Sequence, residues 1–296
     1  MINKRTSKLQ ILLMYVLLII FVVIVLFPIY FVIYFAISPG TNFTMTTFFP
    51  HNPTWSHFQV LLTQTPVYHV MNIFGYKMLF TFPQYIQWYL NTLFIAVVTC
   101  IFMVIFTTMT GYVLSRYRFK GKKVTILTML ILQMFPQMLA LTAIYVIMVR
   151  LNLINSLWSL IVLYVAGGIP FNAFLVKGFL DAVPYSMDEA ARIDGAGHVT
   201  IFLKIILPVS KPIIFFLALV SFTGPWMDFI FPSLLLTDPN KWTIAYGIFQ
   251  WIGAMNMQAD GPLFACGAIL VAIPITILTV FGQKYLVAGL TAGSTK

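Results

Sequence analysis

The sequence predicts an all-α integral membrane protein with six transmembrane helices. Two observations support this fold class: the composition, and six apolar stretches that are each long enough to cross a bilayer. The chain is 60% hydrophobic and only 8% charged, whereas soluble proteins are about 45–50% apolar and about 25% charged. It therefore lacks the polar surface that a soluble domain of 296 residues needs. No long stretch alternates apolar and polar residues, which argues against a β-barrel.

A spanning helix needs about 20 apolar residues. The predicted spans are Ile11–Ile37, a helix from near Trp88 within the uncharged stretch Met78–Ser115, Val124–Val149, Leu157–Val176, Pro212–Leu236 and Pro262–Gly282. The first stretch is too long for the core of a cleaved signal peptide, and no small-residue cleavage site follows it. We therefore expect one membrane domain over residues 11–282, preceded by a short segment 1–10 and followed by a tail 283–296.

The distribution of cations predicts the orientation in the membrane. Six spans place both termini on one side, and Lys and Arg accumulate in cytoplasmic loops. Fourteen of the 17 Lys and Arg residues fall on the side of the termini, and only Lys77, Arg150 and Lys241 fall on the other. We expect cytoplasmic termini, a cytoplasmic segment 181–208, and external loops 38–87 and 237–261. The net charge of +10 then reflects topology rather than nucleic-acid binding.

The cytoplasmic segment 181–208 has the pattern of a helix–turn–helix. Ser186 and Glu189 have the spacing of a capping box at a helix start, and Gly195 and Gly197 permit a tight turn. A second helix can follow this turn. Two interpretations stay open on this spacing: a capped amphipathic helix lying on the membrane surface, or a compact elbow that docks to a cytoplasmic partner.

The same segment carries a gapped motif. It reads Glu189-Ala190-Ala191, three residues, Gly195, nine residues, Ile205, one residue and Leu207-Pro208. This pattern resembles the EAA signature of permease subunits of ABC importers. The neighbouring Asp194-Gly195-Ala196 is similar to the sugar-importer branch of that family.

Three further stretches resemble the same branch. Trp226–Phe229 with Pro232 looks like an aromatic and acidic patch in the fifth span, and Asp238–Thr243 resembles the external loop after it. The tail Gln283–Val287 with Gly289–Gly293 resembles that of maltose-transporter (MalG-like) permeases. The resemblance covers essentially the whole chain.

The resemblance implies a type I ABC-importer permease fold in the bacterial cytoplasmic membrane. It implies a non-catalytic subunit that forms half of a pathway for a sugar, maltose, maltodextrin or another oligosaccharide, by alternating access. The implied partners are a second permease subunit (MalF-like), two ABC ATPase subunits, an extracytoplasmic sugar-binding protein and membrane lipid. The resemblance also implies that this chain binds no cofactor and that ATP-Mg belongs to the ATPases. The chain has no Gly-x-x-x-x-Gly-Lys-Ser/Thr phosphate loop, so it is not expected to be the ATPase itself.

The resemblance also assigns candidate site residues. Contact with the ATPases falls on Glu189, Ala190, Ala191, Asp194, Gly195, Leu207 and Pro208, and in the tail on Gln283, Gly289, Leu290 and Thr291. Glu189 either caps its own helix or pairs with a cation of the ATPase, and the tail is either this second contact or a frayed terminus.

The candidate pathway residues come from the spans. Asp228 is the only acid within a predicted span; it is either a pathway residue or an acid near the outer face, hydrogen-bonded within the bundle. Aromatic rings stack on sugars or pack in the bundle, so Trp226, Phe229 and Tyr164 have two interpretations as well.

Two other functional classes compete with an importer subunit. A secondary transporter or channel usually shows repeated halves or several intramembrane acids, and an intramembrane enzyme needs a nucleophile with a base, or a metal cluster. The spacing of His51, His57 and His69 fits no standard metal motif. Cys100 and Cys266 lie in apolar stretches, so neither a disulfide framework nor a zinc site is expected.

Overall fold

The computed structural model describes residues 8–40, 45, 47–63, 66–73, 76–254 and 261–292. Within these ranges the regular secondary structure is helical apart from one two-stranded hairpin. The α-helices are α1 (Lys8–Ile37), α2 (Ser56–Thr63), α3 (Gln84–Arg116), α4 (Lys122–Met134), α5 (Leu141–Arg150), α6 (Leu157–Asp181), α7 (Ser186–Ile193), α8 (His198–Ile201), α9 (Leu207–Val209), α10 (Lys211–Met227), α11 (Ile230–Leu235), α12 (Ile244–Ala254) and α13 (Gly261–Ala292). Short 3-10 helices cover Gln137–Ala140 and Pro239–Lys241, and a π-helix covers Phe202–Ile206.

Four of these helices, α1, α3, α6 and α13, are long and apolar enough to cross a membrane. If each of two bent helix pairs is one span, the number of candidate spans in the described residues rises to six. In the first pair, α4 and the helix over Met138–Arg150 are bent by 85°. In the second, the helix over His198–Val209 and α10 are bent by 78°. The predicted membrane-spanning helical fold is therefore confirmed, but the third span is not one straight helix.

The third predicted span breaks at Pro136. Proline has no backbone N–H, and it disfavours helical backbone at the residue before it. Phe135 accordingly takes the extended conformation with φ −72° and ψ 126°, and a 3-10 helix follows before α5 begins.

The fifth predicted span is also interrupted. Helix α10 ends at Met227, and Asp228 is extended with φ −86° and ψ 125°. The carboxylate of Asp228 accepts hydrogen bonds from the backbone N–H of Ile230 at 2.8 Å and of Phe231 at 3.4 Å. It thereby satisfies two N–H groups at the start of α11, which a helix end otherwise leaves without partners.

Helix α3 defines the two ends of the bundle, because its 33 residues extend about 50 Å. At its beginning, Trp88 Nε1 donates to the Pro239 carbonyl at 2.7 Å, and Asn91 Nδ2 donates to the Trp242 carbonyl at 3.0 Å. We call this the loop end. At its last residue, Arg116 contacts the 181–208 segment, and we call this the segment end.

The first and last described helices are antiparallel to each other and meet at the loop end. There Cys266 Sγ near the start of α13 donates to the Ala36 carbonyl at 3.4 Å, near the end of α1. Towards the other end, Tyr285 of α13 packs on Phe215, with ring centroids 5.9 Å apart. Lys8 and Ala292 therefore both lie towards the segment end.

Among the described residues, the buried side chains form three apolar clusters. One at the loop end contains the fully buried Trp88, one at the segment end contains Ile201 and Ile206, and one between α3, α5, α6 and α11 contains Leu160. Helices α3 and α6 pack closely where Gly111 faces Val176: a Cβ at Gly111 would lie 2.5 Å from Val176 Cγ1.

The two-stranded hairpin lies in the predicted loop 38–87 and is absent from the all-α prediction. Strands β1 (Pro66–Ile73) and β2 (Tyr76–Pro83) pair antiparallel, from Pro66 opposite Pro83 to Ile73 opposite Tyr76. Strand β1 contains two valines and a tyrosine, and β2 contains a tyrosine and two phenylalanines; valine and aromatic residues favour strands. Most of β2 belongs to the uncharged stretch Met78–Ser115, so hydropathy alone does not separate this strand from the transmembrane helix that follows it.

Candidate coupling segment and membrane cavity

The 181–208 segment forms a helical elbow. Helix α7 ends in a tight turn, and α8, the π-helix and α9 follow. Gly195 has φ +82°, its N–H donates to the Arg192 carbonyl at 3.0 Å, and the Ala196 N–H donates to the Ala191 carbonyl at 2.9 Å. These two bonds and the positive φ form a Schellman motif, in which glycine is strongly favoured. The predicted helix–turn–helix with its glycine turn is therefore present.

The predicted capping box at the start of α7 is wrong. The N-cap is Tyr185, Ser186 is the first helical residue, and no side chain caps the helix. The Tyr185 carbonyl accepts from the N–H groups of Asp188 and Glu189 at 3.0 and 3.1 Å. Glu189 therefore does not cap its own helix. Its carboxylate is exposed and can be reached by a partner.

The two faces of α7 differ. Glu189, Ala190, Asp194 and Gly195 are exposed, while Ala191 is buried in the apolar cluster of the segment end. Among the remaining candidate residues, Leu207 is half-buried and Pro208 is exposed. Ile193 at the tip of the elbow is 86% exposed. The outward surface of the elbow thus combines carboxylates with an apolar tip, which is the pattern of a docking surface.

A buried ion pair holds α7 against the bundle. Arg116 Nε lies 2.7 Å from Asp188 Oδ2, and the two side chains are 1% and 4% exposed. Arg116 also donates from Nη1 to the Leu180 carbonyl at 3.0 Å and from Nη2 to the Val183 carbonyl at 3.1 Å. One guanidinium therefore joins α3, the end of α6 and α7.

Tyr185 adds a second connection at the same place. Its ring lies 4.5 Å below the Arg116 guanidinium carbon, in a cation–π contact. Its hydroxyl donates to the carbonyls of Ser115 and Arg116, both at 3.0 Å. Neither this tyrosine nor the ion pair is among the predicted site residues.

A cavity of about 700 Å³ lies in the membrane part of the bundle. Both helix breaks border it, through Phe135 of the third span and Phe231 of the fifth. On the side of α6, Gly167 leaves open space, because a Cβ there would meet no atom within 4 Å. Its lining is mostly apolar, with a few polar side chains that include Gln133, Tyr164, Asn172 and Ser221. Apolar walls with a few polar groups are typical of small-molecule sites.

The four candidate pathway residues occupy different environments. Tyr164 lines the cavity, and its hydroxyl donates to Asp228 Oδ2 at 2.7 Å. Trp226 is buried against Tyr89, with ring centroids 5.0 Å apart. Phe229 is 40% exposed and stacks on an aromatic ring of α12. The structure thus brings Tyr164 and Asp228 together at the cavity and places the other two elsewhere.

The candidate tail residues belong to α13, which continues as a helix through Gln283, Gly289, Leu290 and Thr291 to Ala292. Gln283 is exposed. Elsewhere, His57 contacts the Ser38 carbonyl at 3.0 Å. Among the described residues no cluster of His, Cys, Asp or Glu forms a metal site.

A bundle of up to six spans with a membrane cavity and a helical elbow at one end defines a membrane-embedded transport subunit. Residues 107–291 match the family described as binding-protein-dependent transport system inner membrane component. The chain belongs to this family, and it is a multi-pass protein of the cytoplasmic membrane. Members of the family are permease components rather than enzymes, so the predicted family is confirmed.

Relatives with assigned names agree with this family. The chain is 40% identical over 261 residues to the galactooligosaccharides transport system permease protein GanQ of Bacillus subtilis (strain 168), covering 88% of this chain and 87% of that protein. It is 46% identical over 221 residues to the maltodextrin transport system permease protein MdxG of the same organism, covering 75% and 79%. A chain of a bacterial ABC transporter for the import of the acidic polysaccharide alginate shares the fold, with a TM-score of 0.73, 22% identity and coverage of 96% and 99%.

Proposed function

We propose that this chain is a permease subunit of an ATP-driven importer of oligosaccharides. It forms half of the translocation pathway, and it works with a second permease subunit, two ATPase subunits and an extracytoplasmic sugar-binding protein. The observation that carries this proposal is the elbow at 181–208, which has an exposed outward surface and a buried ion pair behind it.

The geometry supports coupling by rigid-body movement. The exposed residues of α7 accept force from a partner, and the Arg116–Asp188 pair passes it to α3 and α6. The elbow also leads directly into α10 through a 78° bend at the buried Ser210. Helix α10 lines the cavity with Phe216 and Val220. A displacement of the elbow therefore moves one wall of the cavity, as alternating access requires.

The cavity supports a carbohydrate as substrate. Tyr164, Phe171 and Phe231 give it aromatic surface, and Gln133 and Asn172 supply donors and acceptors for hydroxyl groups. GanQ and MdxG are named for galactooligosaccharides and maltodextrin. We therefore assign an oligosaccharide, with maltodextrin as the first one to test.

The charges support an elbow in the cytoplasm. The loop after α3 and the elbow carry an excess of cations at the segment end, among them Arg118, Lys120, Lys123 and Lys204. Because such clusters face the cytoplasm, we assign the elbow, Lys8 and Ala292 to the cytoplasmic side. The loop 237–261 and the hairpin then face outwards, where the binding protein delivers sugar.

Gly195 provides the test of coupling. A Cβ at Gly195 or at Gly197 meets no atom within 4 Å, but Gly195 has φ +82° whereas Gly197 has φ −74°. Gly195→Val therefore distorts the turn, and Gly197→Val is the matched control with a compatible backbone. Maltodextrin uptake and ATP hydrolysis are measured in proteoliposomes that contain the complete complex.

We expect Gly195→Val to lower sugar uptake per ATP hydrolysed about tenfold or more, while Gly197→Val stays close to the parent. Assembly is checked by the amount of ATPase that copurifies. A Gly195→Val complex that assembles and transports at the parent ratio would refute the coupling role. Uptake that continues without ATP would instead favour a secondary transporter.

A further inference from the structure

A second groove, of about 720 Å³, lies at the segment end on another side of the bundle. It is formed by the connection after α3, by the first turns of α4 and by one side chain of α6. The residues that matter here are Arg118, Lys122, Lys123, Lys177, Val124 and Leu127. Neither the ion pair nor the outward face of α7 lines this groove.

The groove is strongly cationic. Four of its lining residues are Arg or Lys, and the first turn of α4 contains no acidic residue. Lys177 is paired with Asp181. Lys122 donates to the neutral carbonyls of Ser115 and Tyr117 at 3.3 and 3.1 Å, and it also interacts electrostatically with the Asp181 carboxylate. This one carboxylate compensates one of the four positive charges. About three positive charges therefore remain for an external anion.

Below the cations the wall is apolar. Val124 and Leu127 are 66% and 56% exposed, and the same surface continues along α4 to Ile131, which is 57% exposed. From Val124 to Met134 the helix is uncharged. The cations thus stand at the end of a membrane-spanning stretch, at the level of lipid headgroups, and the apolar wall descends into the bilayer.

We infer that this groove binds an anionic phospholipid, with its phosphate among Arg118, Lys122 and Lys123 and an acyl chain along α4. The anionic headgroup matches the cationic part of the groove, and the acyl chain matches the apolar wall that continues from it along α4. Inorganic phosphate would leave the apolar wall without a partner, and so would an acidic peptide lying on the cations. Basic residues at the membrane surface attract anionic lipids with about 1 kcal/mol each.

Lys123 and Lys120 give a matched pair of variants. Both are exposed lysines of the same loop region, but only Lys123 lines the groove. The full chain is purified in mild detergent with its copurifying subunits, and lipid adducts are counted by native mass spectrometry. The probes are dioleoyl phosphatidylglycerol and dioleoyl phosphatidylcholine at equal concentration.

We expect the parent to prefer phosphatidylglycerol, and Lys123→Gln to lower the ratio of the two adducts about fivefold. Arg118→Gln combined with Lys123→Gln lowers it further, whereas Lys120→Gln leaves it unchanged. An excess of inorganic phosphate should not displace phosphatidylglycerol, because the acyl chain contributes to binding.

Three outcomes would overturn the inference. The first is equal adducts of both lipids on the parent. The second is an equal loss in Lys120→Gln and Lys123→Gln, which would indicate diffuse charge rather than a site. The third is evidence for a different occupant, given either by displacement of the lipid with phosphate or by a crosslink from Leu127 to another subunit. The result does not depend on the transported substrate.

Discussion

Removing the guanidinium of Arg116 should release α7 from the bundle. Arg116→Gln leaves the buried Asp188 carboxylate without its cation, and it deprives the Leu180 and Val183 carbonyls of their donors. Breaking a buried ion pair by removing one partner costs about 3–5 kcal/mol. This free energy is lost from the contact between α7 and the bundle, because all three lost partners of Arg116 lie between residues 180 and 188.

This energy predicts a local effect on amide exchange. If α7 opens locally, about 3–5 kcal/mol corresponds to an increase of roughly 150- to 5,000-fold in the exchange rate of its protected amides. Hydrogen–deuterium exchange of peptides spanning 186–196, in the assembled complex, measures it. Asp188→Asn should have a smaller effect, because Arg116 keeps both carbonyl partners and the Tyr185 ring.

Arg150→Gln is the control, since Arg150 is an exposed arginine at the end of α5. It should leave exchange of these peptides at the parent rate. If Arg116→Gln changes exchange by less than about threefold, or if Arg150→Gln changes it equally, then the pair does not anchor the elbow. Faster exchange across the whole chain would also contradict the reasoning, because it would indicate global destabilisation.

Three further predictions concern the tail, the cavity and the loop end. Truncation after Gly282 should weaken ATPase association in a pull-down, and unchanged association would remove the tail contact. Tyr164→Phe keeps the ring but loses the hydrogen bond to Asp228 at 2.7 Å, so sugar uptake should fall about tenfold; the exposed Tyr145→Phe is the control. Gly247→Ala places a Cβ 2.1 Å from Trp88 Cε3, whereas Gly178→Ala meets no atom within 4 Å; only the former should lower the melting temperature, by several degrees for about 1–3 kcal/mol.

Hydropathy predicts where the chain crosses the membrane but not where the helices break. Pro28, Pro170 and Pro274 lie inside continuous helices, whereas the third span breaks at Pro136. A proline therefore permits a break, and tertiary packing decides whether one forms. The break at Asp228 was not predictable from hydropathy either, because an acid in an apolar stretch gives no sign that its carboxylate accepts hydrogen bonds from the start of a following helix.

The elbow was predictable because its signals are local. Gly195 within a helical pattern marks a turn, and the gapped motif identifies the segment. The ion pair behind the elbow was not predictable, since Arg116 and Asp188 are 72 residues apart in the sequence and meet only through the packing of α3 on α6. The predicted capping box was wrong because it requires Ser186 to be the N-cap, whereas the helix starts one residue earlier than that, with Tyr185 as the N-cap and Ser186 as the first helical residue.

The interrupted helices have a consequence for the life of the subunit in a cell. Around Phe135 and Asp228, backbone groups leave the regular helical pattern at membrane depth, and hydrocarbon has no donor or acceptor to offer them. Such backbone is tolerated only against protein or water. Where this chain does not itself cover the breaks, a partner subunit has to, so a copy synthesised without its partners should be degraded faster than an assembled one.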